Sequence, residues 1–211
     1  MNLNNKIKKI LIATNNKAKL KEIKFGLKEI EKLGITLLTL NDVQKGREVA
    51  PPKETGESFC ENAVIKAKYY GKLFNLPTIA DDGGLTIPFL NNQPGVKSRR
   101  WLGYEATDEE LITFTLKKLK KQPLKNRKAF LTTCLCFYHP YTNKYFLSEG
   151  KIKGFIADKP SLKRIAGYPF RALFIVDKFN KYYDELTEKE HQQVNHRLRA
   201  LRKIVKIIKT F

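Results

Sequence analysis

Residues 7–23 read IKKILIATNNKAKLKEI, an apolar run of strand length, a short polar turn and the opening of a helix. The run IKKILIAT at 7–14 predicts a buried strand. Leu20, Ile23, Leu27 and Ile30 then recur at intervals of three and four, which predicts a helix over 17–33. A strand that turns directly into a helix aims the first backbone N–H groups of the helix at whatever lies in the turn. That arrangement suits an anion.

Working outward, ITLLTL at 35–40 reads as a second strand. The polar segment NDVQKGREVAPPKETGE that follows is long enough to carry function, and it leads into a helix over about 58–74 with Phe59, Ala63, Ala67 and Tyr70 on one stripe. LPTIAD enters a central strand that ends at a Gly-Gly turn. Short strands and turns are expected over 85–103, a helix over 107–121 opened by an Asp108 cap, and a hairpin of 128–138 with 145–156. A last helix starts at Thr187, which forms a capping box with Glu190, and runs on through Val194, Leu198, Leu201, Val205 and Ile208. Alternating strands and helices with a more antiparallel middle predict an α/β fold: an elongated mixed central sheet flanked by helices, two lobes in one domain over 1–211, and an active-site cleft between the lobes.

Composition narrows the class. With 211 residues the chain can bury a core without staples. No apolar run approaches the ~20 residues of a membrane span, and the basic start MNLNNKIKKI meets too short an apolar stretch for a signal core, so a cytoplasmic protein is expected. Cys60, Cys134 and Cys136 are expected as ordinary buried thiols, and zinc is not expected because no histidine falls at ligand spacing from a cysteine pair. The 41 Lys and Arg against 21 Asp and Glu give a net charge of +20, which points to an anionic partner without choosing one. A basic nucleic-acid-binding module is therefore the rival reading, although none of its motifs is present.

Several segments carry chemistry. In ATNNKAK the turn offers Thr14, Asn15 and Asn16 with Lys17 and Lys19 beside a helix start. In TIADDGGL the adjacent Asp81 and Asp82 point to opposite faces of a strand, so one can hold a hard cation while the other orients a loop or helps activate water. Glu54 adds a third carboxylate, and His196-Arg197 lies on a basic helix.

ATNNKAK at 13–19, ETGESFCENAVIKAK at 54–68, IADDGGL at 79–85, QPGVKSRRW at 93–101 and NHRLRAL at 195–201, in this order and spacing, resemble the inosine triphosphate pyrophosphatase family, also called the Ham1 family. The resemblance spans nearly the whole chain. It implies a magnesium-dependent homodimeric enzyme, with manganese as a substitute, that splits a nucleoside triphosphate into monophosphate and pyrophosphate. Deaminated purine nucleotides such as ITP, dITP and XTP are the implied substrates; a different (d)NTP is the alternative. Nucleic acid and membrane are not implied as partners. Carried over, Thr14, Asn16 and Lys19 match the phosphate loop, with Asn15 in place of a usual glycine. Glu54 and Asp82 match the metal acids and Asp82 also the proton acceptor, with Asp81 beside it as a second catalytic contact. Lys66 and Arg100 match basic positions near the phosphates, and His196 and Arg197 the His-Arg pair at the nucleotide.

The departures cluster in the part that reads the base. Gly83 stands where the family has serine. The family's aromatic-Gly-aromatic-Asp motif falls on Tyr168, Pro169, Phe170 and Arg171, so a base replaces an acid. His191 stands for a lysine and Asn195 for a serine. A guanidinium only donates, so altered base preference is expected, with Arg171 pairing to oxo groups of a purine.

Overall fold

The computed structural model describes residues 7–211; the start of the amino-terminal segment read for a signal core lies outside them, at 1–6. The fold is mixed α/β, a mixed sheet flanked by helices, and the chain divides into two compact units.

Among the described residues the first unit comprises 7–82, 133–150 and 197–211. Its strands follow the order β2 (Thr36–Thr39), β1 (Lys9–Ala13), β3 (Thr78–Ile87), β5 (Lys128–His139), β6 (Lys144–Ile156), β3, β5 and β6 contributing the parts that fall inside the unit. β1 pairs in parallel with both neighbours, Leu11 opposite Leu38 on one side and Thr78 on the other. Because side chains alternate along a strand, the two faces receive different partners. Ile10, Ile12, Ile79, Leu135 and Phe137 meet α1 (Lys17–Gly26), α2 (Lys28–Glu31) and α7 (His196–Ile208). Leu11, Ala13, Ala80, Cys136 and Tyr138 meet α3 (Leu40–Gln44) and α4 (Phe59–Phe74).

The second unit comprises 83–132 and 151–196. In it β4 (Gln93–Pro94) pairs antiparallel with the second half of β3, and β7 (Phe174–Val176) joins β6 to β8 (Lys181–Tyr182), also antiparallel. Leu85, Ile87, Leu111, Ile156, Leu173 and Phe174 lead its core, with α5 (Asp108–Lys118) and α6 (Glu188–Val194) alongside.

Five expectations are corrected. The helix foreseen over 17–33 breaks at Leu27 into α1 and α2. Gly26 there lets α1 approach α7, since a Cβ would stand 2.6 Å from Leu201 Cδ1. Residues 40–44 are helical, in place of the strand end expected at Leu40 and the loop expected from Asn41, because Thr39 and Asp42 form a reciprocal capping box. The Gly-Gly pair does not turn: β3 continues to Ile87, and the absence of a side chain at Gly84 admits Ser98, whose hydroxyl accepts from Leu85 N at 3.2 Å and donates to Gly95 O at 2.7 Å. The cap of α5 is Thr107, not Asp108, its hydroxyl accepting from Glu110 N. The last helix keeps its Thr187–Glu190 box but is interrupted at Asn195, whose ψ of 107° leaves the helical range.

Among the described residues no helix is long and apolar enough to cross a membrane. The core of the first unit should be sensitive to truncation: Ile204, fully buried against the sheet, should cost about 2–5 kcal/mol when changed to Ala. A denaturant titration reads this as a lower midpoint at unchanged slope.

Candidate functional site

The polar cluster of the first unit grows from the two sides of β3. Asp81 lies on the face that meets α1 and α7, Asp82 on the face that meets α4, as the pleat requires.

Asp81 has a fully buried side chain held by three partners. Lys19 Nζ lies 2.7 Å from Oδ1; Arg197 Nε donates to Oδ2 at 2.9 Å, and Thr133 Oγ1 donates to the same oxygen at 2.5 Å. Arg197 also reaches Glu22 at 2.5 Å. Lys19 and Glu22, three residues apart, share one face of α1, so the helix supplies a cation to Asp81 and an anion to Arg197. Burial alone would raise the Asp81 carboxyl, but Arg197 and then Lys19 outweigh it and hold it far below the usual carboxylate range. Asp81 is thus a positioning residue, ionised at any ordinary pH.

Asp82 has a different environment. Lys66 Nζ lies 2.8 Å from Oδ1 and 3.3 Å from Glu54 Oε1, while Asn62 Nδ2 donates to Oδ2 at 3.5 Å. Asn62 also accepts from Gly56 N at 2.8 Å, which pins the loop that carries Glu54. Asn62 and Lys66, four apart on α4, face the same way. Burial pushes the Asp82 carboxyl above its ordinary value, only partly restrained by Lys66 and Lys19, and Glu54 adds to the rise. Burial also works against the Lys66 charge, yet Asp82 and Glu54 prevail and hold the ammonium above its ordinary value. Two carboxylates therefore converge on one cationic centre. Hard oxygen donors brought to a common cation are the donor set a divalent ion of the magnesium type requires, so Glu54 and Asp82 fit the metal that the resemblance implies.

The turn before α1 is built for amides. Asn16 caps the helix, its Oδ1 accepting from Ala18 N at 2.9 Å and Lys19 N at 3.0 Å, while Thr14 Oγ1 accepts from Asn16 N at 3.2 Å. Asn15 and Lys17 are exposed beside it.

The remaining candidates belong to the second unit. Arg100 is exposed and Gly83 half-buried. Arg171, only 4% exposed, stacks its guanidinium 3.4 Å from the Tyr168 ring centroid and 4.6 Å from that of Tyr183. Phe170 meets Trp101 edge-on at 6.4 Å. His191 and His196 both set their rings against Tyr183, and Asn195 Nδ2 lies 3.3 Å from His191 Nε2. The structure thus gathers Tyr168, Arg171, His191 and His196 around Tyr183, an aromatic that the sequence reading did not select.

Three other residues were missed. Glu22 and Asn62 were legible in principle, at helical intervals of three and four from Lys19 and Lys66. Thr133 left no local signal, being 52 residues from Asp81. The cysteines need correcting too: Cys60 and Cys134 form a disulfide, their Cα atoms 5.1 Å apart, and only Cys136 is a buried thiol. Cys60 falls on the sheet-facing stripe of α4, opposite β5.

The sequence model described as the Ham1 family matches residues 10–207. A protein of Leptospira interrogans named dITP/XTP pyrophosphatase is 35% identical over 203 residues, covering 96% of this chain and 98% of that protein. One of the same name from Thermus thermophilus is 36% identical, covering 95% and 92%. A solved HAM1 protein of Coxiella burnetii superposes with a TM-score of 0.82 at 31% identity, over 97% of this chain and 100% of the other.

Removing the Asp81 charge strands Lys19 and Arg197, so Asp81→Asn should cost about 3–5 kcal/mol of stability near neutral pH. A carboxyl with a depressed folded pKa stabilises above its unfolded value, roughly pH 4, and that contribution is lost as pH falls toward the folded value. Acid denaturation curves should therefore show a shallower loss below about pH 4 in the variant than in the parent; parallel curves would contradict the assignment.

Proposed function

The chain belongs to the Ham1 family, and from that premise we propose that it is a hydrolase that cuts a nucleoside triphosphate into its monophosphate and pyrophosphate, using Glu54 and Asp82 to hold magnesium. The observation that carries this reading is the convergence of Glu54 and Asp82 on the Lys66 ammonium.

A divalent ion bound by Glu54 and Asp82, magnesium or manganese, would offset phosphate charge as the anhydride bond is cut. Asn16 already caps two amides of α1, so phosphate oxygens are received by Thr14, by Lys17 and by the positive end of the helix. Lys66 stays protonated and supplies charge to the same oxygens. Asp82 takes the proton of the attacking water; without the ion, burial holds its carboxyl above the ordinary value. Asp81 never exchanges a proton in this scheme. It fixes Lys19 and Arg197.

For the substrate, the chain's relatives named dITP/XTP pyrophosphatase support deaminated purine nucleotides. At position 171 the chain places a guanidinium, stacked against the rings of Tyr168 and Tyr183, where the family resemblance implies an acid. Base preference therefore shifts toward purines rich in oxo groups. A homodimer in the cytoplasm, with no membrane or nucleic acid as partner, completes the proposal, and light scattering reads the dimer directly.

Pyrophosphate release from ITP, dITP, XTP, GTP and dUTP, with and without magnesium, tests the scheme. Turnover should vanish without the metal, and Asp82→Asn should lower it on the order of a hundredfold or more with the fold intact. Parent-like turnover in Asp82→Asn would remove that residue from its role. If ITP is the best substrate by roughly tenfold or more and Arg171→Ala leaves the ranking untouched, the shift in base preference is refuted.

A further inference from the structure

Next to the acid cluster, three side chains that hydrolysis does not use meet at one point of the first unit. Cys60 lies in the first turn of α4, Cys134 on β5 and Glu149 on β6. Both Sγ atoms and a carboxylate oxygen lie within 4.8 Å of one another, and Glu149 Oε1 stands 3.2 Å from Cys60 Sγ. Cys134 is buried, Cys60 half-buried and Glu149 exposed, so the cluster has one side open to solvent.

As a disulfide the sulfurs are neutral and poor ligands. Reduced, they become a pair of soft anionic donors beside a carboxylate. The position of Cys60 favours that form, because the start of a sixteen-residue helix stabilises a thiolate. Two thiolates with one carboxylate select zinc-like ions over magnesium, and three protein ligands leave a fourth position for water. Disulfides are uncommon in reducing compartments such as the one proposed for this protein, which makes the reduced form the one to account for.

We propose that the reduced protein binds one zinc-like divalent ion through Cys60, Cys134 and Glu149, the disulfide and the ion being alternative occupants of the same place. Reduction by a phosphine balances as follows: phosphorus is oxidised to phosphine oxide with an oxygen from water, the S–S bond breaks, and two thiols form. Metal entry then displaces the two thiol protons. Either occupant ties the first turn of α4 to β5. Asn62, two residues beyond Cys60, thereby keeps its hold on Gly56 and on the loop of Glu54.

Cobalt(II) is the probe, since thiolate-to-cobalt charge transfer absorbs where oxygen-ligated cobalt does not. The phosphine-reduced protein, freed of reductant, should show this band at one cobalt per chain, and zinc should abolish it. The oxidised protein should show none. Cys60→Ser should lose the band and Glu149→Gln should weaken binding on the order of tenfold; Cys60 is half-buried and Glu149 exposed, so neither change empties the core. Cys136→Ser and Asp82→Asn should keep it, because neither side chain is among the three groups that converge, Asp82 being paired with Lys66. Absence of the band in the reduced parent, or its survival in Cys60→Ser, overturns the proposal.

Discussion

A carboxylate with no access to water must be compensated or must give up its charge, and the first unit is arranged around one such group. Asp81 is compensated by Lys19 from α1, Arg197 from α7 and Thr133 from β5. Arg197 in turn requires Glu22. The result is a chain of two cations and two anions, Lys19–Asp81–Arg197–Glu22, that ties the two helices on one face of the sheet to its central strands. Such a chain contributes less net stability than its Coulomb attraction suggests, because each charge was first taken out of water. What it supplies is a set of specific contacts that α1 and α7 must both meet on the sheet.

That placement fixes the chemistry on the other face. A strand alternates its side chains, so once Asp81 is anchored toward α1 and α7, Asp82 has to face α4. There it meets Lys66 and Glu54, with Asn62 holding both the carboxylate and the loop. The contrast between the neighbours is instructive. Asp81 has two full positive partners and sits far below its ordinary pKa, whereas Asp82 shares Lys66 with Glu54 and is raised. Adjacent residues of the same type thus divide into a structural anion and a group suited to metal binding and proton transfer, and the pleat makes the division.

The order of strands and helices was legible because it rests on periodicity, a local property: Ile10 to Ala13, the α4 stripe and the Thr187–Glu190 box all read correctly. What was misread depended on contacts made elsewhere in the chain. The Gly-Gly pair looks like a turn until Ser98 is packed against it, and Leu27 looks helical until α7 crosses at Gly26. The candidate site divides in the same way. The Asp81-Asp82 pair and Glu54 stood out from short motifs, but no spacing announces that Arg197 meets Asp81 across 116 residues, or that Cys60 meets Cys134 across 74. A Lys at position 19 could equally serve a phosphate or a buried acid, and only the fold chooses.

The charge of +20 takes on a different meaning once the site is built. The charges around Asp81 sum to zero, and the group of Glu54, Asp82 and Lys66 carries one negative charge in excess. Most of the surplus is therefore carried outside these clusters, by exposed lysines such as Lys21 and Lys24 on α1 and Lys203 and Lys206 on α7. At physiological salt those charges are screened beyond roughly 8 Å, so they draw anions toward the surface without holding them in place. A divalent ion among the acids would reverse the sign of that small cluster, giving it one positive charge in excess. On this account the acids, not the lysines, decide whether a triphosphate stays.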